Sequence, residues 1–278
     1  MSSELADKVA LVTGASRPNG MGFATALALA EMGAAVAVAD LPARRDDLDV
    51  GTGLGSNEQL DAAVAALGDR GVRAIGVPLD LTDPDSIRAA VRTVEAELGP
   101  IDIVVNNAGV FVGVKPFEEL SEADWQLSWQ VHVMGPQLLA KEVLPSMQRS
   151  GGGVIVNISS NHGMGGFPGT AAYSTTKGAM HSLTKALAVD LGPYGIRVNC
   201  VAPGNIATDI TPFEFALIAE QEGTTPEEIE RRQAESVALR RRGRAAEVAD
   251  VVAYLCSPRA SFLTGTVIPI DGAEAHGV

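Results

Sequence analysis

Short apolar runs rich in β-branched residues recur along the chain, and between them apolar positions return every three or four residues. The runs at Val9–Thr13, Ala35–Ala39, Ala74–Pro78, Ile101–Val105, Val154–Ser159, Arg197–Val201 and Val267–Ile270 predict strands. Their near-continuous apolar character suits strands covered on both faces of a parallel sheet. The stretches Gly22–Met32, Asn57–Arg70, Asp83–Leu98, Ser121–Arg149, Ala171–Leu191 and Ala245–Ser257 predict helices. Thr82-Asp83-Pro84 and Ser121-Glu122-Ala123-Asp124 supply the capping chemistry of helix starts. Strand and helix alternating in this way predict an α/β fold, a doubly wound parallel sheet of about seven strands with right-handed crossovers and helices on both faces.

Two segments break the rhythm. Leu41–Ser56 is a long loop containing glycines and charges. Thr208–Arg244 follows the sixth strand, contains one helical stretch at Pro226–Val237, and ends in the basic run Arg240-Arg241-Arg242-Gly243-Arg244. That run reads as a solvated helix end. Insertions at the carboxyl ends of strands are where α/β proteins place binding residues, so 205–244 is the expected substrate region. No linker-like composition divides the chain, and a single catalytic domain over 1–278 is expected.

Composition narrows the function. The 278 residues are 46% hydrophobic and 20% charged, which excludes a disordered chain. Lys+Arg is 21 against Asp+Glu 34, a formal net charge of −13. An acidic surface repels phosphate backbones and anionic lipid, so neither nucleic acid nor a membrane is an expected partner. Cys200 and Cys256 fall in no metal-ligand spacing, so neither a metal site nor a disulfide framework is expected. No apolar run reaches the roughly 18 residues of a membrane span, and no signal peptide is visible, which places the expected location in the cytoplasm.

The turn after the first strand, Gly14-Ala15-Ser16-Arg17-Pro18-Asn19-Gly20-Met21-Gly22, lets backbone approach a pyrophosphate held at the next helix N-terminus. Asp40 closes the second strand, where a carboxylate accepts both ribose hydroxyls of an adenosine and repels a 2′-phosphate. Arg17, Arg44 and Arg45 pull the other way. NAD is the preferred cofactor and NADP the possible second.

Ser160, Tyr173 and Lys177 carry the sharpest chemistry. Tyr173 and Lys177 stand four residues apart on one helix face, and Ser160 ends the fifth strand. Hydride transfer from a carbinol carbon needs a group that removes the hydroxyl proton. A free tyrosine titrates near pH ~10, and a nearby ammonium favours its phenolate. A downward shift of about 3 pH units corresponds to roughly 4 kcal/mol. The serine hydroxyl would orient the substrate oxygen and steady its developing charge.

These residues resemble the short-chain dehydrogenase/reductase family over Val9 to Gly272. Gly14, Gly20 and Gly22 match the cofactor loop, Asp80-Leu81 the adenine-contacting acid, and Asn106-Asn107-Ala108-Gly109 the turn beside the cofactor. Pro203-Gly204 with Ile206 and Thr208 matches the nicotinamide clamp, and Ser160, Tyr173 and Lys177 match the catalytic group. The resemblance implies a single Rossmann-like domain, a nicotinamide cofactor bound partly by Arg17, Asn19 and Met21, and a homotetramer packed through the long helices. It further implies a small-molecule secondary alcohol or ketone as substrate.

Three departures stand out. Pro18-Asn19 lengthens the glycine loop, as in enoyl-thioester reductases, but those separate Tyr and Lys by six residues rather than three, which argues against enoyl reduction. The loop after Asp40 is long. His132 stands where the family usually has a catalytic asparagine, and it is expected to keep a water relay in altered form. Among further residues, His162 reads as a loop histidine without a role and His181 as packing. Phe111, Met164, Phe167, Phe213 and Phe215 lie on segments expected to surround an apolar substrate. The alternative to an oxidoreductase is a non-catalytic nucleotide-binding scaffold or sensor of the same fold.

Overall fold

The computed structural model describes residues 4–42, 56–209 and 211–274. Arg44, Arg45 and most of the long loop after Asp40 lie outside the described residues, as does the side chain of Phe213. Seven strands form one parallel sheet among the described residues: β1 (Val9–Thr13), β2 (Ala35–Asp40), β3 (Ala74–Pro78), β4 (Ile103–Asn106), β5 (Gly153–Ile158), β6 (Ile196–Pro203) and, after two short strands, β9 (Val267–Ile270). Their order is β3-β2-β1-β4-β5-β6-β9. The strand order reverses between β1 and β4, so a crevice opens there at the carboxyl ends.

Helices α1 (Met21–Glu31), α2 (Asn57–Gly68), α3 (Pro84–Glu97), α4 (Glu122–Trp129), α5 (Gly135–Arg149), α6 (Ala171–Leu191) and α9 (Ala245–Cys256) supply the two outer layers. One apolar cluster lies under α3 and α5 and a second under α1 and α9. Strands β1 and β2 are buried on both faces, as their apolar runs predict. Among the described residues no helix is long and apolar enough to cross a membrane, and none of their His, Cys, Asp and Glu side chains form a metal-holding group.

Two differences from the sequence reading bear on function. The stretch 121–149, expected as one helix, is split by a π-helical turn at Gln130–Met134. Val131, His132 and Val133 are all buried in it. Three consecutive inward side chains exceed what one α-helical stripe presents, and the widened turn turns His132 toward the sheet. The region 208–244 carries two helices rather than one, α7 (Thr211–Glu222) and α8 (Pro226–Ser236). Phe215, Ala219 and Ile229 form a small core between them, and the two-residue strands β7 (Ile206–Ala207) and β8 (Gly243–Arg244) close the unit.

Candidate active site

Glycine at position 14 is dictated twice. Its φ is +64°, and a Cβ there would stand 2.7 Å from Ala108 Cα. Asn107 pins the turn by donating from Nδ2 to the carbonyls of Thr13 (2.9 Å) and Gly14 (2.8 Å). The Ala108 N–H donates to Thr13 Oγ1 at 3.0 Å. Gly20 caps α1 with no side-chain hydrogen bond, and no acid stands in the helix's first turn. An uncapped N-terminus without a carboxylate suits an anion. Met21 packs on the core, and Gly22 follows it in the first turn of α1.

Asp40 ends β2 beside this loop. Its Oδ2 accepts from Ser16 N (3.0 Å) and Oγ (2.7 Å), and Oδ1 accepts from Leu41 N (2.9 Å). A carboxylate offers about four lone-pair sites, so capacity remains for a ribose hydroxyl. Arg17 is half-buried, and burial lowers its pKa against the pull of Asp40 and Asp209. Asp80 accepts from Thr82 N and Oγ1, while Leu81 is buried in the core. The glycine-loop cradle, the bare helix terminus and Asp40 fit an adenine dinucleotide.

The inserted Asn19 ties the glycine loop to the segment after β7. Its N–H and Nδ2 donate to the two carboxylate oxygens of Asp209 at 3.0 and 2.6 Å. Pro203 pairs with Ile270 in the sheet, and the Gly204 N–H donates to Ile270 O. Ile206 is buried, and Thr208 N donates to Thr211 Oγ1 at the start of α7. Arg242 corrects the solvated reading of the basic run. Its guanidinium donates to Asn205 Oδ1, Ile206 O and Thr211 Oγ1, each at 2.7 Å, and lies over the Phe215 ring. Arg241 and Arg244 pair with Glu247. Phe215 therefore belongs to the core of the α7–α8 unit rather than to a substrate wall.

Tyr173 and Lys177 share one face of α6. Lys177 is 4% exposed, its Nζ donates to Ile158 O at 3.1 Å and lies 5.6 Å from the Tyr173 ring centre. Burial lowers its pKa from 10.5 to about 8. Ser159 joins β5 to α6 by donating to Lys177 O at 2.8 Å and contacting His181 Nε2 at 2.9 Å, which gives His181 the packing role expected of it. A buried relay Asn106–Asn157–Thr184 adds bonds of 2.8 and 2.9 Å beneath. Ser160 Oγ donates to Asn161 Oδ1 (3.3 Å) and accepts from His162 N (3.2 Å). Asn161 Nδ2 and Asn205 N both donate to Glu274 Oε2 at 2.9 Å. Nothing in the sequence marked that link between the serine turn and the segment following Asp271.

His132 is brought to this site with both ring nitrogens facing protein groups. Nε2 accepts the Val110 N–H at 3.1 Å, so a neutral ring carries its proton on Nδ1, 2.9 Å from Thr176 Oγ1. Thr176 in turn donates to Tyr173 O at 2.9 Å. Both ring nitrogens are thereby used within the protein, and the imidazole braces the turn after β4 against α6, which leaves the expected relay no free ring nitrogen. Burial first, and Lys177 second, push its pKa well below 6.5. Gly109 leaves the space beside it: a Cβ there would stand 3.2 Å from His132 Nε2 and 3.5 Å from Lys177 Nζ.

Rings close around the phenol. Phe111 meets Tyr173 edge-on at 4.8 Å, His132 at 5.5 Å and His162 at 5.6 Å. Phe111 lies on a segment expected to surround the substrate, but its packing against Tyr173 beside both histidines joins four segments and has no local pattern.

The family profile described as Enoyl-(Acyl carrier protein) reductase matches residues 14–273. Cis-4-hydroxycyclohexanecarboxylate dehydrogenase of Sinomonas cyclohexanicum is 36% identical over 272 residues, covering 98% of each chain. The solved structure of NAD+-bound xylitol dehydrogenase aligns with a TM-score of 0.86 and 34% identity over 97% of this chain and 99% of that one. Carveol dehydrogenase from Mycobacterium avium in complex with NAD aligns with a TM-score of 0.90 and 28% identity over 97% and 98%. With its parallel sheet, glycine turn and Ser160–Tyr173–Lys177 group, the chain belongs to the short-chain dehydrogenase/reductase family.

Proposed function

We propose that this chain is an NAD-dependent dehydrogenase interconverting a small secondary alcohol and its ketone, with 1–278 as one catalytic domain and 205–244 as its substrate region. The observation that carries the reading is Tyr173, half-buried in a ring of aromatic edges with the buried Lys177 ammonium 5.6 Å from its centre. Ser160 donates to the substrate oxygen once its hydroxyl leaves Asn161. Tyr173 takes the carbinol proton at Oη, or returns it to the ketone oxygen. Lys177 lowers the proton affinity of that phenol through its charge. His132 acts through Thr176 by fixing the first turn of α6. Bound NAD supplies the hydride acceptor, and NADH the donor. Gly14, Gly20 and Gly22 with the α1 terminus would hold the pyrophosphate, Asp40 the adenosine ribose, and Asp80 the adenine side. Asn107, Ala108 and Gly109 would line the crevice, and Pro203, Gly204, Ile206 and Thr208 the nicotinamide end.

Asp40 supports NAD over NADP, and so does Arg17, whose charge already faces Asp40 and Asp209. The relatives above, named for NAD and for alcohols, support the same choice. A scaffold without turnover would have no use for an ammonium held in the core. Trp129, Met134 and Val189, exposed on the long helices, support a homotetramer, which light scattering tests. The two cysteines, free and buried, suit a reducing cytoplasm. Absorbance of reduced nicotinamide at pH 8–9 with a panel of alicyclic and aliphatic secondary alcohols tests the activity. Turnover with NAD is expected, and no turnover with either cofactor in either direction overturns the reading.

A further inference from the structure

We infer that His162 is a specificity-determining residue, which hydrogen-bonds a second, uncharged oxygen carried by an alicyclic secondary alcohol close to its carbinol. The inference deepens the dehydrogenase reading above and rests on it. His162 follows Ser160 by two residues in a 3₁₀ turn, Asn161–Gly163, and its N–H donates to Ser160 Oγ. The imidazole is therefore fixed relative to the group that would hold the substrate oxygen. Its ring stacks on Phe167 with centres 3.9 Å apart and planes at 8°. Its edge relations to Tyr173 (5.6 Å, 81°) and Phe111 (6.5 Å, 72°) place it in the aromatic box around the phenol.

Within that box Nδ1 is buried and has no hydrogen-bond partner among the described residues. Buried polar nitrogens are nearly always paired, and leaving one unpaired costs about 1–3 kcal/mol. Phe111 and Phe167 offer it no acceptor or donor and no hydrogen bond joins it to Tyr173, so a ligand is its natural partner. Burial lowers the His162 pKa to about 4, so the ring is neutral at pH 7 and offers one donor and one acceptor rather than a charge. A hydroxyl meets Nδ1 in either tautomer and a carbonyl oxygen accepts from its N–H, and Phe111 and Phe167 suit a ring-shaped apolar body. With ring centres of His162 and Tyr173 5.6 Å apart, the second oxygen belongs within two or three bonds of the carbinol.

The test compares kcat/KM for trans-cyclohexane-1,2-diol, cyclohexanol and 4-hydroxycyclohexanecarboxylate with NAD in wild type, His162→Phe and His162→Gln. The ratio of diol to cyclohexanol is the readout. Wild type is expected to favour the diol by roughly tenfold, the gain of one hydrogen bond in a dry site. His162→Phe keeps the stack on Phe167 and should bring the ratio to about one, while the amide of His162→Gln restores part of it. Turnover of cyclohexanol without preference for the diol, or a preference unchanged in His162→Phe, overturns the inference and leaves the dehydrogenase reading standing. A His162-dependent preference for the carboxylate over the diol also overturns it. Failure of wild type on every alcohol overturns both.

Discussion

The floor of the active site and the α7–α8 unit above it are built differently. On the floor, buried side chains are bonded to one another: His132 to Val110 and Thr176, Lys177 to Ile158, Asn106 through Asn157 to Thr184. The α7–α8 unit has its own small core of Phe215, Ala219 and Ile229, and surface ion pairs such as Arg231–Glu228 and Arg231–Glu235 run along α8. It is joined to the body through Arg242, Asn19–Asp209 and the Asn205 contacts. Preorganised polar groups hold a reaction geometry before substrate arrives, whereas a separately packed unit can vary its contacts without disturbing them. The polar bonds are thus concentrated in the floor, while the α7–α8 unit is packed on its own core and tied to it at few points.

The contrast is sharpest at Lys177. A buried ammonium is held against its own stability: with a folded pKa of about 8 against 10.5, the unfolded chain binds the extra proton between those values. Stability therefore rises with pH across that window, and at pH 7 the charge costs up to about 3 kcal/mol. Lys177→Met is expected to lower kcat by roughly 100-fold or more while raising the stability of the cofactor-free protein by about 1–2 kcal/mol, the lost Ile158 bond offsetting the rest. Kinetics together with urea denaturation at pH 7 and pH 10 check both halves. A variant less stable than wild type at pH 7 breaks the account of the floor.

Removing the His132 brace should be the next largest effect. His132→Leu orphans the Val110 N–H and removes the donor that Thr176 Oγ1 accepts from, and is expected to destabilise by about 1–3 kcal/mol, with kcat falling as α6 loosens. His132→Asn should retain part of both. Since His132 and His162 are held neutral below 6.5, protons bind the unfolded chain preferentially as pH falls from 6.5, through about 4 for His162. Stability falls over that window, and the fall should be shallower in His132→Asn by calorimetry. An active, fully stable His132→Leu protein would show that the brace is dispensable. Smaller again is Asp40→Ala, which should shift kcat/KM toward NADP by about tenfold through loss of carboxylate–phosphate repulsion. A wild-type preference for NADP would contradict the role of Asp40.

The same contrast explains what was legible in the sequence. Strands β1, β2, β3 and β9 lie within a residue of their apolar runs, since burial on both faces leaves few polar residues to blur them. Tyr173 and Lys177 share a face of α6 as their four-residue spacing predicts, because helix periodicity is local. The π turn was not legible, since it is a property of three buried neighbours, Val131 to Val133, seen only against the sheet. Nor was α7, where Thr211-Pro212 reads as a loop until Arg242, thirty-one residues on, bonds Thr211. The contacts of Arg242 and Glu274 depend on partners distant in sequence, so no local pattern carried them.

The most direct measurement is the proton step itself: kcat of Tyr173→Phe against wild type on one oxidised alcohol, with NAD affinity by calorimetry and Tm in parallel. The floor account predicts a kcat lower by about 10²–10⁴-fold, with NAD affinity within about threefold and folding intact, because the ring still fills its box against Phe111, His132 and His162. A variant retaining more than about a tenth of wild-type kcat would contradict Tyr173 as the residue that moves the proton.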